Sequence, residues 1–178
     1  MEIYTVSFFG HREVERAAEI ESKLDQLLHD LITQKQYVEF LIGRDGEFDL
    51  LVASAIRRAV KQCGYGNTSH ILVLPYMKAE YRDNEQSYLD YYDEVEICTD
   101  SSEAHYKSAI QVRNRCMVDR SDLVVCCIQH KSGGAYKTVQ YAILIPQLNL
   151  EFSACLNTDL LRRKGLKYAS ISPNFKFG

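Results

Sequence analysis

Short apolar stretches that alternate with amphipathic ones constrain the fold of this chain more than any other feature of its sequence. Residues 3–9, 37–42, 71–74 and 123–128 are rich in β-branched and aromatic side chains and are predicted strands. The intervening segments place apolar residues three and four positions apart, as one face of a helix does. Strands that alternate with helices form parallel sheets with right-handed crossovers. The sequence therefore predicts an α/β fold with a mainly parallel sheet.

The same patterns give approximate bounds for the helices. They are predicted over residues 14–31, 48–60 and 103–118, and from Ser132 to Pro146. Gly64 follows the second helix and is suited to a C-cap. The acidic segment between Tyr76 and Tyr92 is predicted as a mostly solvated loop with one helical stretch, followed by a short strand at 95–98.

The length of the chain, 178 residues, is sufficient for one domain with an extension. Residues 1–146 are predicted to form the domain, and residues 147–178 a C-terminal extension that packs on it. Within the extension, residues 148–154 are predicted as a strand, 158–164 as a helix and 167–171 as an edge strand.

Charge and cysteine content restrict the partners and the compartment. Lys and Arg number 21 against 24 Asp and Glu, and the net charge of -3 argues against a nucleic acid or an anionic membrane surface as partner. No apolar run is long enough to span a membrane, and no secretory signal is recognised. Six cysteines without a CxxC pair are typical of free thiols, so we expect a cytoplasmic protein with no metal and no bound cofactor.

Three predicted loops lie at one edge of the sheet, beyond the carboxyl ends of the first, second and fifth strands. They contain Gly10-His11-Arg12, the segment from Gly43 to Gly46, and the segment from His130 to Gly134. Each combines glycine with a cationic side chain and precedes a helix whose first N–H groups attract anions. These loops predict a phosphate-binding edge, although tight turns alone also require glycine. None of them matches a P-loop or a GxGxxG motif.

Two residues of this predicted edge have alternative interpretations. Arg113 shares a helix face with apolar residues, so it either pairs with an internal carboxylate such as Asp119 or Asp122, or binds an anion in the crevice. His11 either contacts a phosphate or caps its own loop.

Several motifs together carry a resemblance to a known superfamily. They are Gly10-His11-Arg12, residues 40–43 with Phe48-Asp49, residues 72–76, residues 113–119, Ser121-Asp122, and Ser132-Gly133-Gly134 with Thr138. In this order they resemble the SLOG superfamily, which joins the Smf/DprA proteins, the LOG phosphoribohydrolases and the YpsA-like proteins. The resemblance covers about residues 3–142 and is greatest to the YpsA-like branch.

The resemblance implies a Rossmann-like three-layer sandwich that binds ADP-ribose, NAD or a nucleoside monophosphate. LOG enzymes cleave an N-glycosidic bond with the arginine of an R-K-x-x-M motif and the glutamate of P-G-G-x-G-T-x-x-E. Here Arg113 to Met117 matches the first motif with Asn114 in place of lysine. Gln140 or, equally, Tyr141 stands where the glutamate is expected, and neither is anionic at pH 7. A neutral amide does not stabilise a ribosyl cation, so the sequence favours a sensor or sequestering protein over hydrolysis by the LOG route.

These arguments define a set of candidate ligand-binding residues and two competing functions. The set is Gly10, His11, Arg12, Gly43, Gly46, Asp49, Arg113, Asn114, Asp119, Ser132, Gly133, Gly134 and Thr138. One competing function is an N-glycosidase or deoxyribosyltransferase that uses Asp49 or Asp119. The other is single-strand nucleic-acid binding, which the net charge argues against. A homodimer is an additional expectation.

Overall fold

The computed structural model of the protein describes residues 1–145 and the backbone of two later strands, Asn149–Phe152 and Ala169–Ser170. In this part of the chain, strands and helices alternate as the sequence predicts. The strands are β1 (Ile3–Gly10), β2 (Tyr37–Ile42), β3 (Thr68–Leu74), β4 (Glu94–Ile97), β5 (Leu123–Cys127), β6 (Asn149–Phe152) and β7 (Ala169–Ser170). The helices are α1 (Ala17–Gln34), α2 (Glu47–Cys63), α3 (Ala79–Asp83), α4 (Glu85–Leu89), α5 (Thr99–Ser102), α6 (Tyr106–Asp119) and α7 (Gly133–Ala142).

The described strands form one sheet in the order β4-β3-β2-β1-β5-β6-β7. Every pairing within it is parallel, from β3 with β4 at one side to β6 with β7 at the other. From β1 the chain first builds the sheet outward through β2, β3 and β4, and then returns to the other side of β1 with β5. The strand order therefore reverses between β1 and β5, and a crevice opens at such a point in α/β sheets.

Two apolar cores lie on opposite faces of this sheet, so the domain has three layers. Helices α1 and α2 cover one face, where Leu28 and Phe48 are fully buried, while α6 and α7 cover the other around Met117 and Val139. The neighbouring residues Cys127 and Cys126 belong to the first and the second core respectively. Successive side chains of a strand point to opposite faces, so both faces of β5 must be apolar. The α/β fold class with a parallel sheet is confirmed.

The sequence predicts the end of helix α2 correctly but not the start of helix α1. Helix α2 ends as predicted, with Gly64 at φ 68° and its N–H donating to the Val60 carbonyl at 2.9 Å. Helix α1 begins at Ala17, later than the apolar pattern predicts, because Arg16 adopts a left-handed conformation at φ 56°.

The prediction of a mostly solvated tyrosine loop after β3 is wrong. Two short helices form there, and Tyr81, Tyr88 and Tyr92 are buried in the core of the α1 and α2 face. Arg44 stacks on the Tyr88 ring at 4.8 Å and donates to the Tyr92 hydroxyl at 3.3 Å. The acidic residues between these tyrosines indicated solvent exposure, but all three rings turn toward the core.

The extension contributes the two strands that continue the sheet beyond β5. Both are shorter than predicted, and the helix expected at 158–164 lies outside the described residues. Among the described helices, none is both long and apolar enough to cross a membrane. The five cysteines within residues 1–145 are all free thiols.

Candidate functional site

A cleft of about 790 Å³ opens at the carboxyl ends of β1, β2 and β5, where the strand order reverses. The three predicted loops all contribute to it, and α6 forms a further wall. The candidate residues that line it are Gly10, His11, Arg12, Gly43, Gly46, Asp49, Arg113, Asn114, Gly133 and Gly134. The fold thus brings ten of the thirteen candidates together at one edge of the sheet.

Asp119 is not one of them. It is the last residue of α6, and it accepts a hydrogen bond from the Tyr141 hydroxyl at 2.7 Å. Asp119 lies five residues beyond Asn114, the last residue of α6 in the cleft lining, which corresponds to about 8 Å along the helix toward the start of β5. Asp119 is therefore outside the cleft wall, and the structure does not support the expectation that it contacts a ligand.

Ser132 and Thr138 also lie outside the cleft lining, and their hydroxyls have partners within the protein. The Ser132 hydroxyl is 2.9 Å from Nδ1 of His130. The buried Thr138 hydroxyl donates to the Gly134 carbonyl at 3.0 Å and accepts from the Asn114 amide at the same distance. These two residues act on the site by holding its loop and helix in place.

Packing against neighbouring side chains explains the glycines at positions 10 and 43 in the first two loops. A Cβ at Gly10 would overlap the ring of the buried Phe48. At Gly43 it would lie 2.6 Å from Nη1 of Arg113 and 2.9 Å from Oδ2 of Asp49. Both contacts are too close for any other residue, so these glycines permit the approach of neighbouring side chains whether or not a ligand is bound.

The start of α7 lies at the cleft and carries unpaired backbone donors. The first N–H groups of any helix lack partners inside the helix, and here no side chain of the described residues caps them. Gly133 has φ 86°, a conformation that L side chains rarely adopt. From α6, Gln111 donates to the Gly134 carbonyl at 3.2 Å and fixes the turn. The result is a positioned set of donors that faces the cleft.

Two histidines stack beside this helix start. The rings of His11 and His130 lie 3.7 Å apart and 20° from parallel, and the His130 N–H approaches Nε2 of His11 at 3.4 Å. Burial, followed by repulsion from His130, lowers the pKa of His11 below its usual value of 6.5. The neutral ring therefore predominates near pH 7 and leaves Nδ1 as its N–H donor, because Nε2 accepts.

Arg113 forms an internal ion pair, one of the two alternatives that the sequence leaves open. Its partner is Asp45, with 2.7 Å between Nη2 and Oδ2, and not Asp119 or Asp122. Nη1 donates to the Val73 carbonyl at 2.9 Å, and Lys78 contacts the second Asp45 oxygen at 2.6 Å. Burial opposes ionisation of Asp45, but the attraction of these cations outweighs it and lowers its pKa. Contact between Arg113 and a ligand stays a prediction.

Asp49 provides a second kind of carboxyl group in the cleft. One of its oxygens accepts the Asp45 N–H at 2.8 Å, close to Gly43. Burial raises the pKa of Asp49, and the Asp45 N–H and Arg113 offset this only in part. The pKa of Asp45, in the loop before α2, is thus lowered, whereas the pKa of Asp49, in the first turn of α2, is raised.

Sequence reasoning missed several residues that the cleft contains. Lys107 and Gln111 line it together with Asn114, and this spacing places all three on one face of α6. That helical spacing was the signal that could have found them. Nothing local in the sequence indicates that Lys78 reaches Asp45. Among residues 1–145 and the two later strands, no cluster of three or more metal-ligating side chains is present.

Comparisons with known proteins identify the fold. No protein-family model matches the sequence, and neither does any curated protein. DNA processing protein A from Helicobacter pylori is a structural match at 14% identity and a TM-score of 0.60, over 93% of this chain and 74% of that one. The same protein from Streptococcus pneumoniae matches at 17% and 0.61, over 99% of this chain and 63% of the other.

The fold of this chain is similar to that of DNA processing protein A. That protein is a Smf/DprA protein, one of the groups joined in the SLOG superfamily, whereas a place in the YpsA-like branch stays a prediction. The Helicobacter pylori protein binds single-stranded DNA. The prediction that the net charge of -3 makes a nucleic-acid partner unlikely is therefore wrong. Net charge sums over the whole surface, whereas an anion is bound by local groups.

Proposed function

We propose that the cleft binds a phosphorylated nucleoside, such as a nucleoside monophosphate, NAD or ADP-ribose. The observation that carries this proposal is the uncapped start of α7, which opens on a cleft at the reversal of strand order. Helix starts in this position bind phosphate in many α/β proteins, because unpaired N–H groups and the helix dipole both attract negative charge.

The phosphate end of the ligand lies at Gly133 and Gly134, where no side chain obstructs the backbone. The exposed cations Arg12 and Lys107 line the same cleft and supply charge that the backbone lacks. The neutral His11 adds an N–H donor on the side of Gly133 where a Cβ would point, since a Cβ there would lie 3.9 Å from Nδ1 of His11.

The remaining space suits a nucleoside. The cleft volume of about 790 Å³ is within the range of roughly 300 to 1,000 Å³ that small-molecule sites occupy. Phe9 and Ile110 offer apolar surface to a base, and Asp49 offers a hydrogen-bonding carboxyl whose raised pKa favours the protonated form.

The role is sensing or sequestering the ligand rather than cleaving it by the LOG route. Gln140 or Tyr141 stands where LOG enzymes carry their glutamate, and neither is among the residues that line the cleft. The buried side-chain nitrogen of Gln140 has no hydrogen-bond partner among the described residues. An N-glycosidase that uses Asp49 instead would release free base, which chromatography of an incubated nucleotide detects.

Single-stranded DNA binding is the second candidate function. It is favoured by the fold shared with DNA processing protein A over nearly the whole of this chain. Both candidates require a phosphate site, but they differ in what surrounds it. A single strand needs a longer track of cationic and stacking groups than one nucleotide does.

Thermal unfolding and calorimetry with AMP, ADP-ribose, NAD, adenosine and an oligothymidylate separate the candidates. A ligand at 100 times its Kd stabilises the protein by about 2.7 kcal/mol. For a domain of this size that raises the Tm by roughly 5 to 10 °C. We expect this shift with the phosphorylated nucleosides and not with adenosine. A salt-sensitive shift with the oligonucleotide alone would support the second candidate, and no shift with any of them would contradict both.

A pair of lysine variants locates the site. Lys107 lines the cleft, whereas Lys137 is an exposed lysine of α7 outside its lining. Charge reversal at Lys107 is expected to weaken nucleotide binding about tenfold or more, since a charge-assisted contact contributes about 1.5 to 3 kcal/mol. The matched change Lys137→Glu is expected to have less than about a threefold effect, because exposed charges at a distance are screened. Equal effects would show that the cleft is not the binding site.

A further inference from the structure

The carboxylate of Asp45 lies between two cations at the edge of the cleft. Its oxygens are 2.7 Å from Nη2 of Arg113 and 2.6 Å from Nζ of Lys78. The Arg113 side chain is only 3% exposed. Although it is buried, its Nε has no hydrogen-bond partner among the described residues. The guanidinium therefore retains donor capacity that the protein itself does not use.

The charges of this cluster do not balance. Arg113 and Lys78 contribute two positive charges, and the Asp45 carboxylate contributes one negative charge. Asp49 contacts the cluster through the Asp45 N–H, and burial raises its pKa, which weakens the charge compensation that this second carboxyl supplies. The three directly paired groups carry one net positive charge at the edge of the cleft, an arrangement that favours a further anion.

The Asp45 carboxylate is able to leave this position without rearrangement of the backbone. Its side chain is 21% exposed, unlike that of Arg113. Its N–H is held separately by Asp49 at 2.8 Å, so rotation of the side chain alone frees both cations. Asp45 also belongs to the short loop between Gly43 and Gly46, both of which line the cleft.

We propose that Arg113 and Lys78 form a second anion subsite, which takes a phosphate group and which Asp45 occupies while the ligand is absent. The carboxylate is an internal competitor, and binding exchanges it for phosphate oxygens that use both cations and the free Nε donor. This inference rests on the proposed function only in placing the ligand in the same cleft. The subsite itself requires no nucleoside.

The test is calorimetric titration of the purified full chain with inorganic pyrophosphate. At about 0.15 M salt, where exposed charges are screened beyond about 8 Å, Asp45→Asn is expected to bind pyrophosphate at least about tenfold more tightly than the wild type. Glu13→Gln removes the same charge from an exposed residue of the cleft lining, and is expected to change the affinity by less than about threefold. Unchanged or weaker binding by Asp45→Asn would overturn the proposal.

A second variant keeps the test decisive if Asp45→Asn does not fold. Lys78 is partly exposed, so Lys78→Gln is the milder change. It is expected to weaken pyrophosphate binding at least about fivefold, as the loss of one cation of the subsite requires. If Lys78 serves only to hold Asp45, its removal leaves the affinity unchanged or increases it, and the proposal is wrong.

Titration with AMP separates this inference from the proposed function. If Asp45 accepts hydrogen bonds from a ribose, Asp45→Asn weakens AMP binding and leaves pyrophosphate binding unchanged, which refutes the subsite and retains the nucleotide site. If pyrophosphate binding tightens while no nucleotide binds to any variant, the subsite stands and the proposed function fails.

Discussion

The stability of the protein should depend on pH through His70, a buried residue of β3. Its side chain is 3% exposed and meets the Tyr92 ring edge-on, with 4.9 Å between centroids. Nε2 is buried and has no hydrogen-bond partner among the described residues. Burial, with a smaller effect from the nearby Arg57 cation, lowers the pKa of His70 from 6.5 to about 4.

The magnitude and the sign of the effect follow from this difference. An unfolded chain restores the ordinary pKa, and one pKa unit corresponds to 1.36 kcal/mol. A fall from 6.5 to about 4 therefore represents about 3 kcal/mol. The folded state favours the neutral ring, so this contribution is fully present above pH 6.5. It is lost as the pH falls from 6.5 to about 4, where the folded protein also takes up the proton.

Urea unfolding of the wild type and of His70→Phe at several pH values from about 7 to about 4 measures this contribution. The phenylalanine ring keeps the contact with Tyr92 but cannot titrate, so only the difference between the two curves is interpreted. We expect the wild type to lose about 3 kcal/mol more than the variant over this range. His29→Gln, at an exposed histidine of α1, is the control and should follow the wild type. Parallel curves for the wild type and His70→Phe would refute the reasoning.

Three substitutions test other parts of the fold. Gly10→Ala forces a methyl group against the buried Phe48 ring and should cost about 1 to 3 kcal/mol in urea unfolding, whereas an unchanged midpoint would contradict the packing. Gly133→Ala strains a backbone at φ 86° and should cost about 1 to 3 kcal/mol while weakening nucleotide binding; full stability and affinity would show that no glycine is needed. Arg58→Ala removes exposed ion pairs with Glu21 and Asp25 and should change stability by less than about 1 kcal/mol, so a larger loss would contradict this expectation.

The sequence by itself determined the layers of the fold. Short apolar runs and apolar faces with period 3.6 are local properties, and they predicted all seven described strands and the long helices to within a few residues. The placement of Cys126 and Cys127 was predictable for the same reason, because adjacent side chains of a buried strand point to opposite faces and so enter different cores. Gly64 was predictable for a similar reason, since a helix end needs a residue that tolerates positive φ.

The location of the cleft was also predictable, because parallel strands bring the loops at their carboxyl ends to one edge. The sequence could not decide which side chains meet there. Arg113 pairs with Asp45, 68 positions away, and not with Asp119 in its own helix, which α6 carries away from the cleft. The contact between Lys78 and Asp45 and the burial of the tyrosines were not predicted, because the partners of these residues come from distant segments.

Only the tertiary structure could assign these contacts. Periodicity states which face of an element is buried, but it carries no information about which loop lies opposite a given charge. The same holds for partners: the net charge argued against a nucleic acid, whereas a protein with a similar fold binds single-stranded DNA. Charge composition averages over a surface, whereas binding depends on a few groups that the fold brings within hydrogen-bonding distance of one another.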